Sequence, residues 1–524
     1  MVLVMVLVVI TILALAGYSF SELMLGERRA AQVSMQQAQA RALADSGMEL
    51  ARRFVLQDLD TQIQLGGCYD NPQRFRGVLV VDDPRTQRRG RFAILSPRLD
   101  GDTMTGVRYG LEDESTRWNL NALLVLDKTA KGGARQILMG LPGMTEDVAD
   151  AILDWMDPDD QPREFGAEVD SYSGQSPPYA PKNGPLETVE ELLLLRGITP
   201  GLLFGSDAKR NGLPSMIQSV DPALGEVDNS DGSMNRGWAA YLTLYSLENN
   251  MRADGTARIN LNGDDLQQLY SDLSQALGND AWATFIVAYR LFGPYKASGG
   301  AQAKGEQVTS DHYNLLDLTQ KGKTKLKTIV DLIGAQVQVK TNSKSSGGSS
   351  KQSSQSNQSK TIILESPFAN ESDAIDSYIA TLMDNVTANT AKVIPGRINI
   401  NQASRTVLSG IPGMTSDVVD AIISQRTLDL AQAETSRRYE TWILSEGLVT
   451  LTQIKSLMPY ICARGSVYRA QAVGYFEGGG PAVRIEFVLD ATSRPAKVLF
   501  WRDLSHLGRG YSLETLGTES IDWQ

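Results

Sequence analysis

Residues 1–20 read MVLVMVLVVITILALAGYSF and carry no charge, the first ionisable side chain being Glu22. About 20 residues at a rise of about 1.5 Å span roughly 30 Å, the thickness of a bilayer's hydrocarbon core. In lipid every backbone amide must be satisfied within its own segment, which makes this run a helix despite its β-branched residues. Residues 21–56 continue the chain as SELMLGERRAAQVSMQQAQARALADSGMELARRFVL, without a proline. Leu43, Gly47, Leu50 and Phe54 fall on one helical stripe, with Gln, Arg and Glu opposite. The pattern predicts one helix of about 55 residues and about 80 Å, apolar all round in its first half and amphipathic in its second. A cleaved secretory signal is the bland alternative, with Ala14-Leu15-Ala16 imitating a cleavage site, and a plain single-span anchor is another. A signal needs no helical continuation, and a basic segment at its start is lacking here.

The rest of the chain bounds the function. Its 524 residues allow two to four domains, and 42% apolar with 21% charged residues describes a folded protein. A net charge of −11 argues against a nucleic-acid binder, whose affinity comes from clustered Lys and Arg. Cys68 and Cys462 are the two cysteines, too few for a disulfide scaffold or a four-Cys zinc site; they pair or stay as free thiols. With His312 and His506 the only histidines, Ser-His-Asp, Cys-His and multi-His chemistry lack members, and a non-catalytic protein is expected.

An internal repeat dominates the body. Residues 141–152, LPGMTEDVADAI, and 411–422, IPGMTSDVVDAI, agree at nine of twelve positions. Opening motifs precede them, Arg117-Trp-Asn-Leu-Asn121 and Arg397-Ile-Asn-Ile-Asn401, and Arg258-Ile-Asn-Leu-Asn262 opens a degenerate third copy running to about Phe292. Pro142-Gly143 and Pro412-Gly413 make tight turns, after which Thr145 and Thr415 cap helices whose inward faces are Val148, Ala151, Ile152 and Val418, Ala421, Ile422. Each block is a helix-hairpin-helix, followed by a further short helix, turn and helix near residues 186–200 and 443–460.

Such hairpins often bind DNA through backbone amides, so a membrane-tethered, competence-type DNA receptor is the alternative function. The helix after the first hairpin, residues 146–160, holds seven acidic residues and no Lys or Arg, which would repel a phosphate backbone. Packing against protein is the favoured use. Residues 154–170 crowd seven carboxylates into seventeen positions without EF-hand spacing. Hard oxygen donors at this density suit calcium, and a solvated acidic turn is the plainer reading.

A hydrophobic helix running unbroken into an amphipathic stalk resembles the assembly helix of type IV pilins and type II secretion pseudopilins. Most of those carry a Glu five residues into the mature chain, to meet a neighbour's N-terminal amine; Met5 stands there if Met1 is the mature start. No basic leader ending in Gly precedes it, which implies a mature form or a late-assigned start. The family lacking that Glu is general secretion pathway protein K. Its pattern of an R-x-N-L-N opening, an L-P-G hairpin, D-W-x-D, an acidic loop, N-G-P and a V-E-E-L helix is matched by Arg117–Asn121, Leu141–Gly143, Asp154–Asp157, Asn183–Pro185 and Val189–Leu192 in order. The likeness covers about residues 1–205 and, more loosely, the rest.

The resemblance implies calcium in the acidic loop, with Asp157, Asp159, Glu168 and Asp170 the best-placed ligands. It also implies sterile-alpha-motif-like subdomains inserted into a pilin-type domain. The fold class expected is α+β: a long N-terminal transmembrane and stalk helix, a pilin-like discontinuous β-sheet, and a large inserted all-α region of helix-hairpin-helix or SAM-like units. Strands are expected at residues 77–81, 91–95, 107–111, 468–475, 482–489 and 497–501. The expected divisions are stalk 1–60; first strands 61–116; unit 1 with the acidic loop 117–207; connecting loop 208–257; unit 2 258–341; Ser-rich flexible linker 342–360; helical connection 361–396; unit 3 397–465; and closing strands 466–524. The implied role is a minor pseudopilin at the tip of a periplasmic pseudopilus, with a wide head that blocks docking above it. Other minor pseudopilins, the inner membrane through Met1, Met5 and Glu22, and secreted substrate proteins are its expected partners, with nucleic acid disfavoured.

Overall fold

A computed structural model describes residues 1–100, 103–129, 132–213, 227–295, 304–341 and 360–518. The Ser-rich segment expected as a linker falls, but for Lys360, outside them, as does part of the expected connecting loop. Helix α1, Val2–Phe54, is continuous through Gly17, and the first half of its surface is bare. Among the described helices it alone is long and apolar enough to cross a membrane by length and composition. The stripe Ala40, Leu43, Ala44, Gly47, Ala51 and Phe54 is buried, the 3.6-residue period of a helix lying on a flat surface.

That surface is an antiparallel sheet of seven strands: β1 Val78–Val81, β2 Gly90–Asp100, β3 Thr103–Arg108, β4 Glu112–Asp113, β5 Val467–Phe476, β6 Val483–Asp490 and β7 Lys497–Asp503. The order is β1-β2-β5-β6-β7, with β3 on β2 and β4 on β5. Thus β2 and β5, neighbours in space, lie on opposite sides of the insert in sequence, and the register Gln471↔Leu95 to Phe476↔Gly90 closes the sheet across it. One face presents Phe92, Ile94, Ala472, Ile485, Phe487 and Leu489 to α1. The other packs Ala93, Leu95, Val473 and Tyr475 under Tyr511 and Leu516 near the C-terminus. The alternation along each strand sorts the two faces. Approach to α1 is close: a Cβ on Gly474 would run into the Ala40 carbonyl oxygen and the Ala44 nitrogen.

Between β4 and β5 the chain repeats one plan three times. The opening motif forms a two-residue strand that pairs in parallel with a distant two-residue strand: Trp118–Asn119 with Leu242–Thr243, Ile259–Asn260 with Val386–Thr387, and Ile398–Asn399 with Ile461–Cys462. Within these loops sit helix pairs: α2 Gly133–Met139 and α3 Glu146–Met156; α4 Leu266–Leu277 and α5 Asp280–Phe292; α6 Arg405–Ser409 and α7 Ser416–Gln425. The closing partner of unit 1 therefore lies inside 208–257, the stretch expected as a connecting loop, because its pairing spans a sequence distance that local patterns do not register. The stretch expected as a helical connection, 361–396, combines strand Lys360–Glu365 with helix Ser372–Asn385 and two short strands. Strands Leu247–Asn249 and Val393–Pro395 pair antiparallel at the neck of unit 2. A single apolar core, from Trp118 to Ile461 in sequence, runs through all three units.

Candidate functional site

The last Asn of each opening motif ties its unit together through its side chain, and does so identically in the first two copies. Asn121 exchanges hydrogen bonds with Leu186, and Asn262 with Leu326, each accepting the residue's N–H (2.9 Å) and donating to its carbonyl. Asn401 instead donates to Arg437 and Ala463 and accepts from Trp442 Nε1 at 2.9 Å. The motif's Arg is buried at Arg117 and half-buried at Arg258 and Arg397. Arg117 pairs with Glu112 and Glu114, and Arg397 with Glu248 and Glu440.

Both near-identical hairpins turn on a glycine with positive φ, 66° at Gly143 and 84° at Gly413. Met144 N–H donates to Leu141 and Met414 N–H to Ile411. Thr145 and Thr415 take the N-cap positions, but neither side chain makes the capping hydrogen bond expected of it. The ends of the helices before the two turns come together, with a Cβ on Gly140 4.0 Å from the Gly410 Cα. Unit 1's turn is braced from one side: Trp238 Nε1 donates to the Pro142 carbonyl at 2.8 Å, and Val227 stands where a Gly143 side chain would point, while Gly143 itself is exposed.

The acidic loop follows α3. Asp154, fully buried at the end of that helix, accepts N–H bonds from Arg163 and Ala167 and pairs with the Arg163 guanidinium at 2.8 Å. The same guanidinium holds Asp157 at 2.5 Å. Gly166 is required where it stands, since a Cβ there would collide with the Asp154 carboxylate. Asp150 accepts from Phe165 N–H and pairs with Arg135 at 3.1 Å. Asn183, at φ 49°, donates from Nδ2 to Asp160 at 2.7 Å and from its backbone to Trp155.

Of the four residues expected as calcium ligands, Asp157 is half-buried, Glu168 is buried, and Asp159 and Asp170 are exposed. Among the described residues no three His, Cys, Asp or Glu side chains gather closely enough to hold a metal ion. Arg163, one cation amid seven carboxylates, occupies the place that the sequence pattern gave to an ion. Even so, Glu168 Oε1 and Oε2, Asp157 Oδ1 and Asn183 Oδ1 are buried without a hydrogen-bond donor. Burial, and then the charges of Asp154, Asp157, Asp160 and Asp159, push the Glu168 carboxyl up to about 7. Burial likewise raises Asp157, against the pull of Arg163. These unsatisfied hard oxygens are the donor set a calcium ion accepts.

Met1, Met5 and Glu22, expected to serve membrane insertion and assembly, all lie on or at the start of α1's exposed half. Sequence patterns missed Arg163, Asp154 and Asn183 as organisers of the loop; the isolation of Arg163 among acids was the signal that could have found the first.

Residues 116–203 match the family model described as Type II secretion system (T2SS), protein K. A protein of Escherichia coli (strain K12), provisionally named type II secretion system protein K, is 33% identical over 113 residues, 20% of this chain and 34% of the relative. Type II secretion system protein K of Klebsiella pneumoniae is 48% identical over 52 residues, 10% of this chain and 16% of the relative. The matches thus span about a third and about a sixth of those two proteins' lengths. The crystal structure of the GspK-GspI-GspJ complex from the enterotoxigenic Escherichia coli type 2 secretion system aligns with a TM-score of 0.32 at 12% identity, over 92% of this chain and 98% of that one.

Proposed function

We propose that this chain, whose residues 116–203 carry a domain of the type II secretion system protein K family, is a minor pseudopilin of such a system. The family domain carries the reading, and its setting supports it: the domain sits on a sheet packed against a 53-residue helix whose first half is bare and apolar. The helix is held in the inner membrane before assembly, with the body in the periplasm, and then packs among neighbouring pseudopilin helices. The sheet is a pilin-type domain, and the three inserted units are helix-hairpin-helix, SAM-like modules. Met5 in place of a carboxylate and the breadth of the inserted head favour the tip of a short pseudopilus, where no subunit docks above. The partners are other minor pseudopilins and, through the tip, secreted substrate proteins.

Calcium in the acidic loop belongs to the same proposal. Asp157, Asp159, Glu168 and Asp170 would hold it, the donorless oxygens of Glu168 and Asp157 being the supporting observation. The ion would supply positive charge to a loop that now has Arg163 alone, stiffening unit 1.

Co-purification from membranes tests the assignment: tagged chain should bring down other minor pseudopilins of the same cell, and a chain lacking residues 1–20 should not. Recovery of no pseudopilin by the full chain would overturn it. Titration calorimetry of EDTA-stripped protein should register calcium uptake that Glu168→Gln abolishes; absence of uptake removes the ion without touching the rest.

A further inference from the structure

Residues 321–327, Lys-Gly-Lys-Thr-Lys-Leu-Lys, place a lysine at every second position of a chain whose net charge is −11. Lys321, Lys323, Lys325 and Lys327 are exposed, whereas Gly322 and Thr324 are half-buried and Leu326 is buried. The inward residues are tied down. Arg290, buried on α5, donates to the carbonyls of Thr324 and Gly263, and its own carbonyl accepts the N–H groups of Lys323 (2.8 Å) and Thr324 (3.0 Å). Asn262, from unit 2's opening motif, holds Leu326 on both its N–H and its carbonyl, each at 2.9 Å. A side chain at Gly322 would strike the Arg290 guanidinium, so this backbone lies pressed against its support. The result is a rigid comb with its teeth in solvent.

The teeth are largely unspent. Lys321 pairs with Asp264 at 3.4 Å, with both side chains mostly exposed. Among the described residues no carboxylate lies within ion-pair distance of Lys323, Lys325 or Lys327. Asp331, at the foot of the comb, is engaged by the N–H groups of Lys327 and Thr328 and has Lys455 of unit 3 at 4.0 Å, a further cation beside the row.

We propose that this comb docks an acidic polypeptide segment whose carboxylates meet the free lysines. Lys323, Lys325 and Lys327 present three exposed cations with no ion-pair partner among the described residues, so charge complementarity calls for a run of carboxylates. One exposed pair is weak, but several in register set orientation and on-rate. A single-stranded nucleic acid would want aromatic platforms between the cations, and the intervening residues here are Gly, Thr and Leu. A membrane surface would want apolar side chains beside them, and the exposed neighbours Thr319 and Gln320 are polar.

Fluorescence anisotropy of the full chain in detergent micelles, with a labelled peptide alternating Glu and Ser, tests the proposal. Binding should be saturable and salt-sensitive. It should weaken about tenfold in the triple variant Lys323→Ser, Lys325→Ser, Lys327→Ser, and be lost for a peptide with Gln in place of Glu. The variant's circular dichroism should match the parent's, since the three side chains are in solvent. No binding by the parent, or equal binding by the variant, overturns the proposal. So does tighter, comb-dependent binding of oligothymidylate or phosphatidylglycerol vesicles, which would reassign the partner to nucleic acid or lipid.

Discussion

Two residues show how the chain's chemistry is fixed atom by atom. Gly166 leaves room for the Asp154 carboxylate, and Gly166→Ala should destabilise unit 1 by about 1–3 kcal/mol, the usual cost of overpacking; a fall in the thermal midpoint checks it. Glu112 is buried, which alone would raise its pKa, but Arg117 and then Arg236 overcome burial and hold it well below its ordinary 4.5. A carboxylate depressed in the native state contributes stability above its unfolded pKa and loses it as the pH falls. Glu112→Gln should therefore cost stability at neutral pH and flatten the acid limb below about pH 4.5, as measured by urea unfolding across that range. A variant that is as stable as the parent at pH 7 would sink the argument. None of this was readable in sequence: that Arg163 turns inward to Asp154 and Asp157, or that Thr145 leaves its helix uncapped, depends on side-chain directions that residue spacing does not carry.

Among elements, legibility followed locality. Helix α1 and five of the six expected strands stood out because period 3.6 and period 2 are properties of consecutive residues, whereas the strand expected at 107–111 shares only Val107 and Arg108 with β3; the three opening motifs were visible because they repeat. The partner strands Leu242–Thr243 and Val386–Thr387 were not, since two residues hold no period and their mates lie more than a hundred positions away. The packing of α1 on β5 makes its own prediction. Gly474→Val would push a side chain into the Ala40 carbonyl and lift the stalk from the sheet, costing about 1–3 kcal/mol or more. Gly47→Ala, whose new methyl would lie 3.0 Å from Phe92 Cδ2, should cost less. Chemical denaturation of both variants decides; equal costs would mean that the helix adjusts freely.

Taken whole, the molecule joins its insert to its sheet through buried charge. Arg469 on β5 pairs with Glu114 and with Glu486 on β6 at 3.0 Å, while Glu114 is shared with Arg117. Removing Arg469 leaves buried Glu114 with Arg117 as its one cation, so Arg469→Met should cost about 1–3 kcal/mol, and a double-mutant cycle with Glu114→Gln should show coupling. Additive losses would deny the pair its role. Among the described residues the three units share one apolar interior, so bending one against another would open buried apolar surface to water. A push along the rod would thus meet a head whose parts resist parting, more a ram than a chain of beads.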